Sequence, residues 1–556
     1  MERIRQRCDK RLAGLKANRV TWEEQWPELE LLWPCGARIN ADNDPRSFGG
    51  EDRQGEVYDS THQTVLDKAV AGFMAYATSP ARQWHRNTTR DLDEDDSEAR
   101  EHLDAITDVQ RSAMQAGNFY QVLPHVYREG LVFGTGAMIG LPDFETVLHW
   151  YPMVTGTYWL GANAKQVVDT CYREFWMTTS QLVERFGLER CSIAVQNAAK
   201  RPGNQDDWHK VVHVIEPRKN AGGGPMATQM PWASYYYEAG SSDGDHDLLE
   251  EGGFLRFPVI AWRYQREGDN VYGRSPCMKA LPLVRQVQLQ TLAEGRAIER
   301  DFVDPPVQVP TSAKNEEVNL AAGGINYVDE SRQSGGIRRV FDQPTDPSWM
   351  RESKADARMQ VATMLFLDLF QMLALQPQTE KTKFEVAQRV KEGMQLMGPV
   401  LNNLITDVLS PVLDLYYYTL EAGGAFPPVP ESLSGKDFVP EFMSELWMAQ
   451  KAADVGTIGE FLAFVGSIAQ GKGDPSVWDA VNLDDVVRDV ANKMGVPAKL
   501  LESPEDVQAL RQARADAQAA QAQLAAMQSM ASTTKDIASA VPSLEASTGP
   551  LQNTQV

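Results

Sequence analysis

The hydrophobic and polar positions between Val271 and Leu375 predict a long helix, a small β-rich insertion and a second long helix. Ser275 is a good N-cap for the first helix. Pro276 then occupies the first helical position, where its missing N–H costs nothing. We expect this helix to run to about Asp301, because Pro305-Pro306 follows and cannot continue it.

Three short apolar runs follow and predict strands at Val307–Val309, Ile325–Val328 and Ile337–Phe341, since glycine pairs separate them. A second helix is expected from Ser348 to about Leu375. Each helix has roughly 25 residues, which corresponds to about 40 Å at ~1.5 Å per residue. The pattern therefore predicts an antiparallel pair of long helices that carries a small β tip.

The N-terminal half mixes helices and strands. Trp22, Trp26 and Trp33 fall near one face of a predicted helical segment, and the helix that follows residue 57 has apolar positions at helical spacing. Residues 137–270 contain β-rich runs separated by loops rich in glycine and aspartate. These runs are Trp150-Tyr151, Thr157–Leu160, Val167-Val168, Cys171–Arg173, Val211–Ile215, Ser234–Glu238 and Arg256–Tyr264.

The C-terminal part is predicted to be mainly helical. Gln376–Glu380 is read as a break, and a long amphipathic helix is expected from Lys381 to Leu420, with bends at Gly398-Pro399 and Ser410-Pro411. A strand near Phe438–Phe442 is expected to rejoin the sheet. Helices are expected again from residue 446, and the Ser/Thr/Pro-rich tail 531–556 is predicted to be disordered. The fold class predicted is α+β, predominantly helical.

The composition argues against tight binding to nucleic acid or to an anionic membrane. The 556 residues include 54 basic and 76 acidic side chains, a net charge of −22 that repels both. The N-terminus lacks the apolar region of a signal peptide. The most apolar run, Val361–Leu375, is short and contains Asp368, so it predicts a buried core helix and no membrane association.

No catalytic, cofactor-binding or metal site is predicted. The five cysteines are scattered without ligand spacing and are expected to be reduced, as in the cytosol. The eight histidines show no metal-binding pair. The segment Gly466–Gly473 nearly matches a phosphate-binding loop, but glycine replaces the Mg²⁺-binding Ser/Thr and helices are predicted on both sides. We interpret it as a turn between helices.

Motifs over about residues 55–445 resemble those of the portal, or head–tail connector, proteins of short-tailed, podovirus-type bacteriophages. The most specific is Tyr272-Gly273-Arg274-Ser275-Pro276, which opens a long helix that ends at Pro305-Pro306. Thr379–Phe384 departs from the family's usual Met-Thr-Ala-Thr pattern. The other matching residues are Val57–Thr61, Ser79-Pro80, Trp84, Asn118-Phe119, Gly130, Gly134–Gly136, Phe175–Thr178, Gln181-Leu182, Phe186-Gly187, His213-Val214, Pro217, Gly253-Phe254, Phe257-Pro258, Arg263, Ala280–Pro282, Glu385-Val386, Arg389, Gly398–Val400 and Leu409–Pro411.

The resemblance implies a fold divided into named parts and a ring-shaped assembly. The implied parts are a wing (1–270 and 385–445), stem helices (271–302 and 347–375), a clip (303–346), a channel loop (376–384), a helical crown (446–530) and a disordered tail (531–556). Family members form a ring, expected here to have twelve copies, at one capsid vertex. Double-stranded DNA passes through it without sequence specificity during packaging and ejection.

The resemblance also implies partners and a location. The implied partners are further copies of the chain, the major capsid protein, a scaffolding protein, the large terminase subunit, and head–tail adaptor or tail proteins. The protein would be assembled in the host cytoplasm and reside in the virion, without enzymatic activity or a cofactor.

Three groups of residues are candidates for contact. Their positions relative to the predicted tip and stem give each group a different expected role. The channel loop would place Gln378, Thr379, Lys381 and Lys383 near DNA. The clip would present Arg332, Arg338 and Arg339 to the terminase or an adaptor. The stem charges expected to pair between subunits or line the lumen are Arg285, Glu294, Arg296, Glu299, Arg351 and Glu352.

Two other classes of protein remain open at this point. One is an ATP-hydrolysing packaging or remodelling enzyme, which the near-match at Gly471-Lys472 would serve. The other is a structural scaffold or tail-tube protein without a DNA channel. A ring with an axial hole would separate the portal interpretation from both.

Overall fold

The structure is a computed structural model. It describes residues 3–36, 57–89, 97–201, 203–219, 222, 224, 226–240, 248–303, 305–310, 319, 321–328, 338–339, 348–374, 380–433, 435–436, 438–444, 446–447, 458–459, 461–468, 470, 478, 481–493, 506–524 and 527. The predicted disordered tail therefore lies outside the described residues.

Helices and antiparallel sheets alternate through the chain, as the α+β prediction requires. The helices are α1 (Ile4–Glu23), α2 (Trp26–Leu32), α3 (Thr61–Tyr76), α4 (Ser97–Ala116), α5 (Phe119–Phe133), α6 (Thr179–Phe186), α7 (Ile193–Ala199), α8 (Pro276–Ile298), α9 (Ser348–Met364), α10 (Leu367–Ala374), α11 (Glu380–Leu404) and α12 (Ser410–Ala422). The helix Leu483–Lys493 and helical residues 461–468 and 506–524 follow, as predicted for the C-terminal part.

The strands form four sheets within the described residues. Their bounds are β1 (His85–Thr89), β2 (Thr135–Asp143), β3 (Val147–Met153), β4 (Tyr158–Ala162), β5 (Val168–Thr178), β6 (Trp208–Pro217), β7 (Trp232–Glu238), β8 (Glu250–Phe254), β9 (Val259–Arg263), β10 (Val307–Pro310), β11 (Ile325–Val328), β12 (Arg338–Arg339) and β13 (Phe438–Phe442). The strand orders are β4-β5-β6-β7-β8, β3-β2-β9, β11-β10-β12 and β1-β13. We call β10–β12 the tip sheet, α8 with α9 the hairpin, and α1–α7 with β1–β9, α11, α12 and β13 the body.

The strand at β13 is where the sequence predicts it, but its partner is different. It pairs antiparallel with β1, with His85 opposite Phe442, and does not join the larger sheets. The sequence analysis missed β1 because its five residues, His-Arg-Asn-Thr-Thr, carry no apolar alternation. Its alternate residues are nevertheless buried, and Asn87 is satisfied by the Thr107 and Gln110 side chains of α4.

Helix α1 packs against the five-stranded sheet through the buried Cys8 and Leu12, and charged groups add to this attachment. Arg7 and Arg11 donate to the two oxygens of Glu216, at 2.5 and 2.7 Å. Lys16 and Lys210 lie on either side of Glu174, each 2.6 Å from one of its oxygens. Burial raises the pKa of Glu174, but the hydrogen bonds from both lysines outweigh this, and the net shift is downward. Several basic side chains near the N-terminus are therefore paired with carboxylates of the same chain.

The second helix of the hairpin is shorter than predicted. The sequence predicts one helix from Ser348 to about Leu375, whereas α9 ends at Met364 and α10 begins at Leu367. Phe366 has a φ of +57°, a left-handed conformation that interrupts the helix. The break turns Phe370 into the central core, where its ring lies against Gly72 of α3 with no room for a Cβ.

Two π-helical segments occur where prolines follow a helix. Glu299–Val303 continues α8 and lies before Pro305-Pro306, and Ile405–Leu409 joins α11 to α12 just before Pro411. A proline removes one backbone donor and clashes with the preceding turn, so a widened turn accommodates it. The predicted bend at Ser410-Pro411 corresponds to this segment.

One continuous helical stretch of the described residues, Glu392–Ala422, is long and apolar enough by length and composition to cross a membrane. Within its most apolar window, 44% is buried inside the protein. Leu404 and Val408 are fully buried in the central core, and Asp407 accepts two hydrogen bonds from the buried Arg263 guanidinium, at 3.0 and 2.9 Å. Packing in the core therefore accounts for the apolar composition of this stretch.

Candidate functional site: a helical hairpin and its joint with the body

Helices α8 and α9 lie antiparallel and are joined by polar side chains, as the sequence predicts. Gln286 and Gln290 both donate to the Ser353 hydroxyl, at 3.2 and 3.0 Å. One turn closer to the tip sheet, Arg351 donates to Glu294 at 3.1 Å. These contacts fix the register of the two helices, with residue 353 beside residues 286–290 and residue 351 beside residue 294.

Glu294 is the charged centre of the hairpin. Lys354, which is almost fully buried, and Arg351 both pair with its carboxylate. The hydrogen bond from Lys354, followed by the one from Arg351, lowers the pKa of Glu294. Two of the stem charges predicted to act between subunits, Glu294 and Arg351, are therefore paired within one chain.

Arg285 is also paired within the chain. Its guanidinium makes a two-pronged pair with the carboxylate of Glu28 on α2, with Nε 2.5 Å from Oε1. This pair ties α8 to the N-terminal helices of the same chain. Glu28 is 257 residues away along the chain, so the sequence around Arg285 does not identify it as the partner.

The other three predicted stem charges are exposed. Arg296 and Glu299 lie near the end of α8, and Glu352 lies near the start of α9. Within the part of the chain that the structure describes, none of the three has an ion-pair partner. They are the members of the predicted set that remain available for contact with another molecule.

The hairpin meets the body where two glycines touch. Gly134 ends α5 with a φ of +82°, which favours glycine, and a Cβ there would overlap the carbonyl oxygen of Gly273. A Cβ on Gly273 would in turn overlap the carbonyl oxygen of Gly134. The segments Gly134–Gly136 and Tyr272–Pro276, which the sequence gives as separate motifs, form one contact that we call the joint.

Hydrogen bonds complete the joint. The Gly273 N–H donates to the Thr135 hydroxyl at 2.9 Å, and the Tyr264 N–H donates to the Gly134 carbonyl at 3.0 Å. Ser275 caps α8 by accepting from Met278 N–H and donates its own hydroxyl proton to the Val132 carbonyl, both at 2.8 Å. The N-cap predicted from the sequence is confirmed, and the same hydroxyl also anchors the helix to α5.

A second contact holds the hairpin through the Val57–Thr61 motif. The Gln288 side chain accepts from the Tyr58 and Asp59 N–H groups, at 2.7 and 3.0 Å, and donates to the Asp59 carbonyl at 2.7 Å. Arg358 of α9 pairs with the Asp59 carboxylate. Burial raises the pKa of Asp59, but hydrogen bonds from Thr61 and Arg358 outweigh it and the pKa is lowered. This contribution to stability is present at neutral pH and is lost as the pH falls through that lowered pKa.

The candidate channel residues are only partly described. Helix α11 begins at Glu380, so Lys381 and Lys383 belong to its first turn and not to the predicted 376–384 loop. A glutamate at a helix N-terminus is favoured by the helix dipole, which suits a start at this residue. Gln378 and Thr379 lie outside the described residues.

The candidate tip residues are also partly described. Arg338 and Arg339 form β12, the edge strand that pairs antiparallel with β10, while β11 pairs parallel on the other side. The strand prediction at Ile337–Phe341 is therefore confirmed in its centre. Arg332 lies outside the described residues.

The described residues of the segment that nearly matches a phosphate-binding loop do not form a nucleotide-binding site. Gly466 and Ser467 of the near-match lie within helical residues 461–468, and Gly471–Gly473 lie outside what the structure describes. No cluster of three or more potential metal-binding side chains occurs among the described residues.

Comparison with known proteins decides the family. The family model for the bacteriophage head to tail connecting protein matches residues 5–501. The chain belongs to this family. It is 33% identical over 532 residues to the probable portal protein of Bordetella phage BPP-1, covering 95% of this chain and 94% of that protein. It is 32% identical over 528 residues to the portal protein of Salmonella phage epsilon15, covering 94% and 93%.

Membership of the connector family confirms the resemblance drawn from the motifs and the structural portal function that it implies. The family is structural, and the comparisons support neither the ATP-hydrolysing enzyme nor the scaffold or tail-tube protein. A solved virion of the native gene transfer agent particle contains a chain that aligns with a TM-score of 0.29 and 11% identity, covering 76% of this chain and 90% of that one. That similarity is too low to carry an argument.

The joint gives a stability prediction for this connector protein. Gly134→Ala should lower the free energy of unfolding by roughly 3 kcal/mol, because the new Cβ overlaps the Gly273 carbonyl and the residue is held at positive φ. The measurement is the denaturant midpoint of the purified chain.

Gly424→Ala is the matched control for this substitution. Gly424 also has a positive φ, +66°, but nothing lies within 4 Å of a Cβ built on it. This variant should therefore lose only about 1 kcal/mol, the cost of the backbone conformation alone. Equal losses in the two variants would show that the close approach of Gly134 and Gly273 contributes nothing.

Proposed function

We propose that copies of this chain assemble as a closed ring of twelve around an axial channel, at one vertex of the capsid. Double-stranded DNA passes through the channel during packaging and again during ejection. The observation that carries the proposal is the family match over residues 5–501, together with two relatives named as portal proteins. The hairpin with its tip sheet suits the proposal, because its two helices give a subunit the two different flanks that a head-to-tail ring needs.

In this proposal each part of the chain has a place in the ring. The body forms the wing, the hairpin forms the stem, the tip sheet forms the clip, and residues 446–530 form the crown. The large terminase subunit and later the head–tail adaptor or tail proteins dock on the clip. The major capsid protein and a scaffolding protein contact the outside of the ring during assembly in the host cytoplasm. The protein itself has no enzymatic activity and needs no cofactor.

The charge of the chain suits a channel. Each DNA phosphate that a protein neutralises adds affinity through the release of counterions, so a channel lined with cations would retain DNA. This chain has a net charge of −22, and several of its cations are paired inside the chain, among them Arg7, Arg11, Arg263 and Lys354. DNA would therefore slide past a surface that does not hold it.

The ring is tested by imaging the purified chain. Negative-stain electron microscopy with native mass spectrometry should show closed rings with an axial hole and a mass of twelve copies. A single-copy globule at every protein concentration, or filaments without a hole, would contradict the proposal.

Lys381 and Lys383 are proposed to approach DNA. They stand in the first turn of α11, which follows the hairpin and α10 along the chain. Replacing both with alanine should change the length of packaged DNA or the retention of DNA in the head, since two cations are lost near the path of DNA. The control is Lys165→Ala with Lys200→Ala, two exposed lysines of the body. Packaging and retention equal to those of the control would count against the proposal.

Arg332, Arg338 and Arg339 are proposed to contact the terminase or adaptor at the clip. Reversing all three charges to glutamate should abolish docking of the terminase while the rings remain intact, because charged contacts across an interface fix partner choice. Arg190→Glu, on an exposed segment of the body, is the control. Terminase pull-down with the purified rings measures the effect, and normal docking by the triple variant would refute the assignment.

A further inference from the structure

Helix α9 presents an acidic face to solvent. Glu352, Asp356 and Met359 are spaced at i, i+4 and i+7, so they lie on one side of the helix, and all three are exposed. The Met359 side chain is 60% exposed, on a helix that also buries Ala357 and Val361. This face is turned away from α8, which packs against the opposite side of α9.

Helix α8 presents a face with the opposite charge. Leu289, Leu292 and Arg296 are spaced at i, i+3 and i+7, and Leu289 is 67% exposed. These residues line a groove of about 620 Å³ that runs towards the tip sheet and is closed there by Ala321 and Ala322. Of the other charged residues in the groove, Arg300 is paired with Asp301 and Glu299 lies nearer the tip. Arg296 is left as a cation near the exposed Leu289 and the half-buried Leu292.

The two faces lie at the same level along the hairpin. Gln290 contacts Ser353 and Glu294 contacts Arg351, which places Glu352 beside Leu292 and within about one helical turn of Arg296. Rotation about an axis preserves the height of each residue along that axis. In a ring whose axis follows the hairpin, the acidic face of one copy therefore arrives at the level of the basic, leucine-bearing face of the next.

We infer that the next copy of this chain occupies the α8 groove, with its Glu352 paired to Arg296 and its Asp356 and Met359 placed near Leu289. The inference rests on the ring under Proposed function and adds the identity of the two faces that meet. Charge complementarity supports this occupant over an unrelated partner, because both faces belong to one hairpin, lie at the same height, carry exposed apolar side chains and are opposite in charge. A head-to-tail contact of this kind closes a ring when the rotation between copies closes.

Charge exchange tests the inference. Arg296→Glu alone and Glu352→Arg alone should each raise the protein concentration needed for ring assembly by roughly ten-fold, because each places like charges opposite one another. The double variant Arg296→Glu/Glu352→Arg should recover most of this loss, since it restores opposite charges. Native mass spectrometry over a dilution series measures the fraction of rings. Glu184→Arg, on an exposed face of α6, is the matched control and should assemble as the unmodified chain does.

Disulfide formation provides a second measurement that does not depend on charge. Asp356→Cys and Leu289→Cys are prepared as separate proteins, mixed and oxidised. Cross-linked pairs should form in the mixture and not in either protein alone, because the two positions meet only between copies. The native cysteines are buried, apart from the partly buried Cys35, so the separate proteins control for them.

The outcomes separate this inference from the ring itself. If the unmodified chain forms rings and the single charge reversals assemble equally well, the assignment of the two faces is wrong while the ring proposal survives. If rings form but the mixed cysteines give no cross-link, the assignment is again wrong. If the unmodified chain forms no ring, the proposed function fails and this inference fails with it.

Discussion

The close approach of Gly134 and Gly273 is the contact on which the rest of the architecture depends. It brings the end of α5, the start of β2 and the start of α8 to one point, with backbone against backbone. Because no side chain lies between them, small rearrangements of rotamers cannot loosen the contact. The direction of a hairpin whose longer helix, α8, measures about 35 Å is therefore set by a few backbone atoms and by the Ser275 cap, which bonds to α5 as well as to its own helix.

In this acidic chain, many of the basic residues form ion pairs that stabilise the fold. The basic residues of α1 are used to hold the five-stranded sheet, Arg263 is buried against Asp407, and Lys354 is buried against Glu294. Breaking such buried pairs costs far more than breaking exposed ones, so these cations serve the fold. Those left exposed and unpaired in the described hairpin, Arg296 above all, are the ones available to act between molecules.

Much of the fold could be predicted from local signals, and the sites could not. Ser275-Pro276 and Pro305-Pro306 mark the ends of α8 because capping and proline chemistry act over a few residues. The break at Phe366 was not predictable, since it depends on Phe370 packing against Gly72, nearly 300 residues earlier. The pairing of Arg285 with Glu28 and of β1 with β13 is equally non-local. Three of the charges chosen from single helices, Arg285, Glu294 and Arg351, therefore have partners in the same chain that inspection of each helix alone could not reveal, while motifs matched along the chain identified the family.

The central claim is that the joint is rigid, and hydrogen exchange measured by mass spectrometry tests it most directly. The Gly273 and Tyr264 amides donate to Thr135 and Gly134 inside the joint. The amides of Tyr264 and Gly273, resolved individually by fragmentation of the peptides, should therefore exchange as slowly as amides of the central strands β5 and β6. Exchange of these two amides as fast as that of the exposed residues 268–270 would show that the hairpin is not fixed to the body, and would contradict the account.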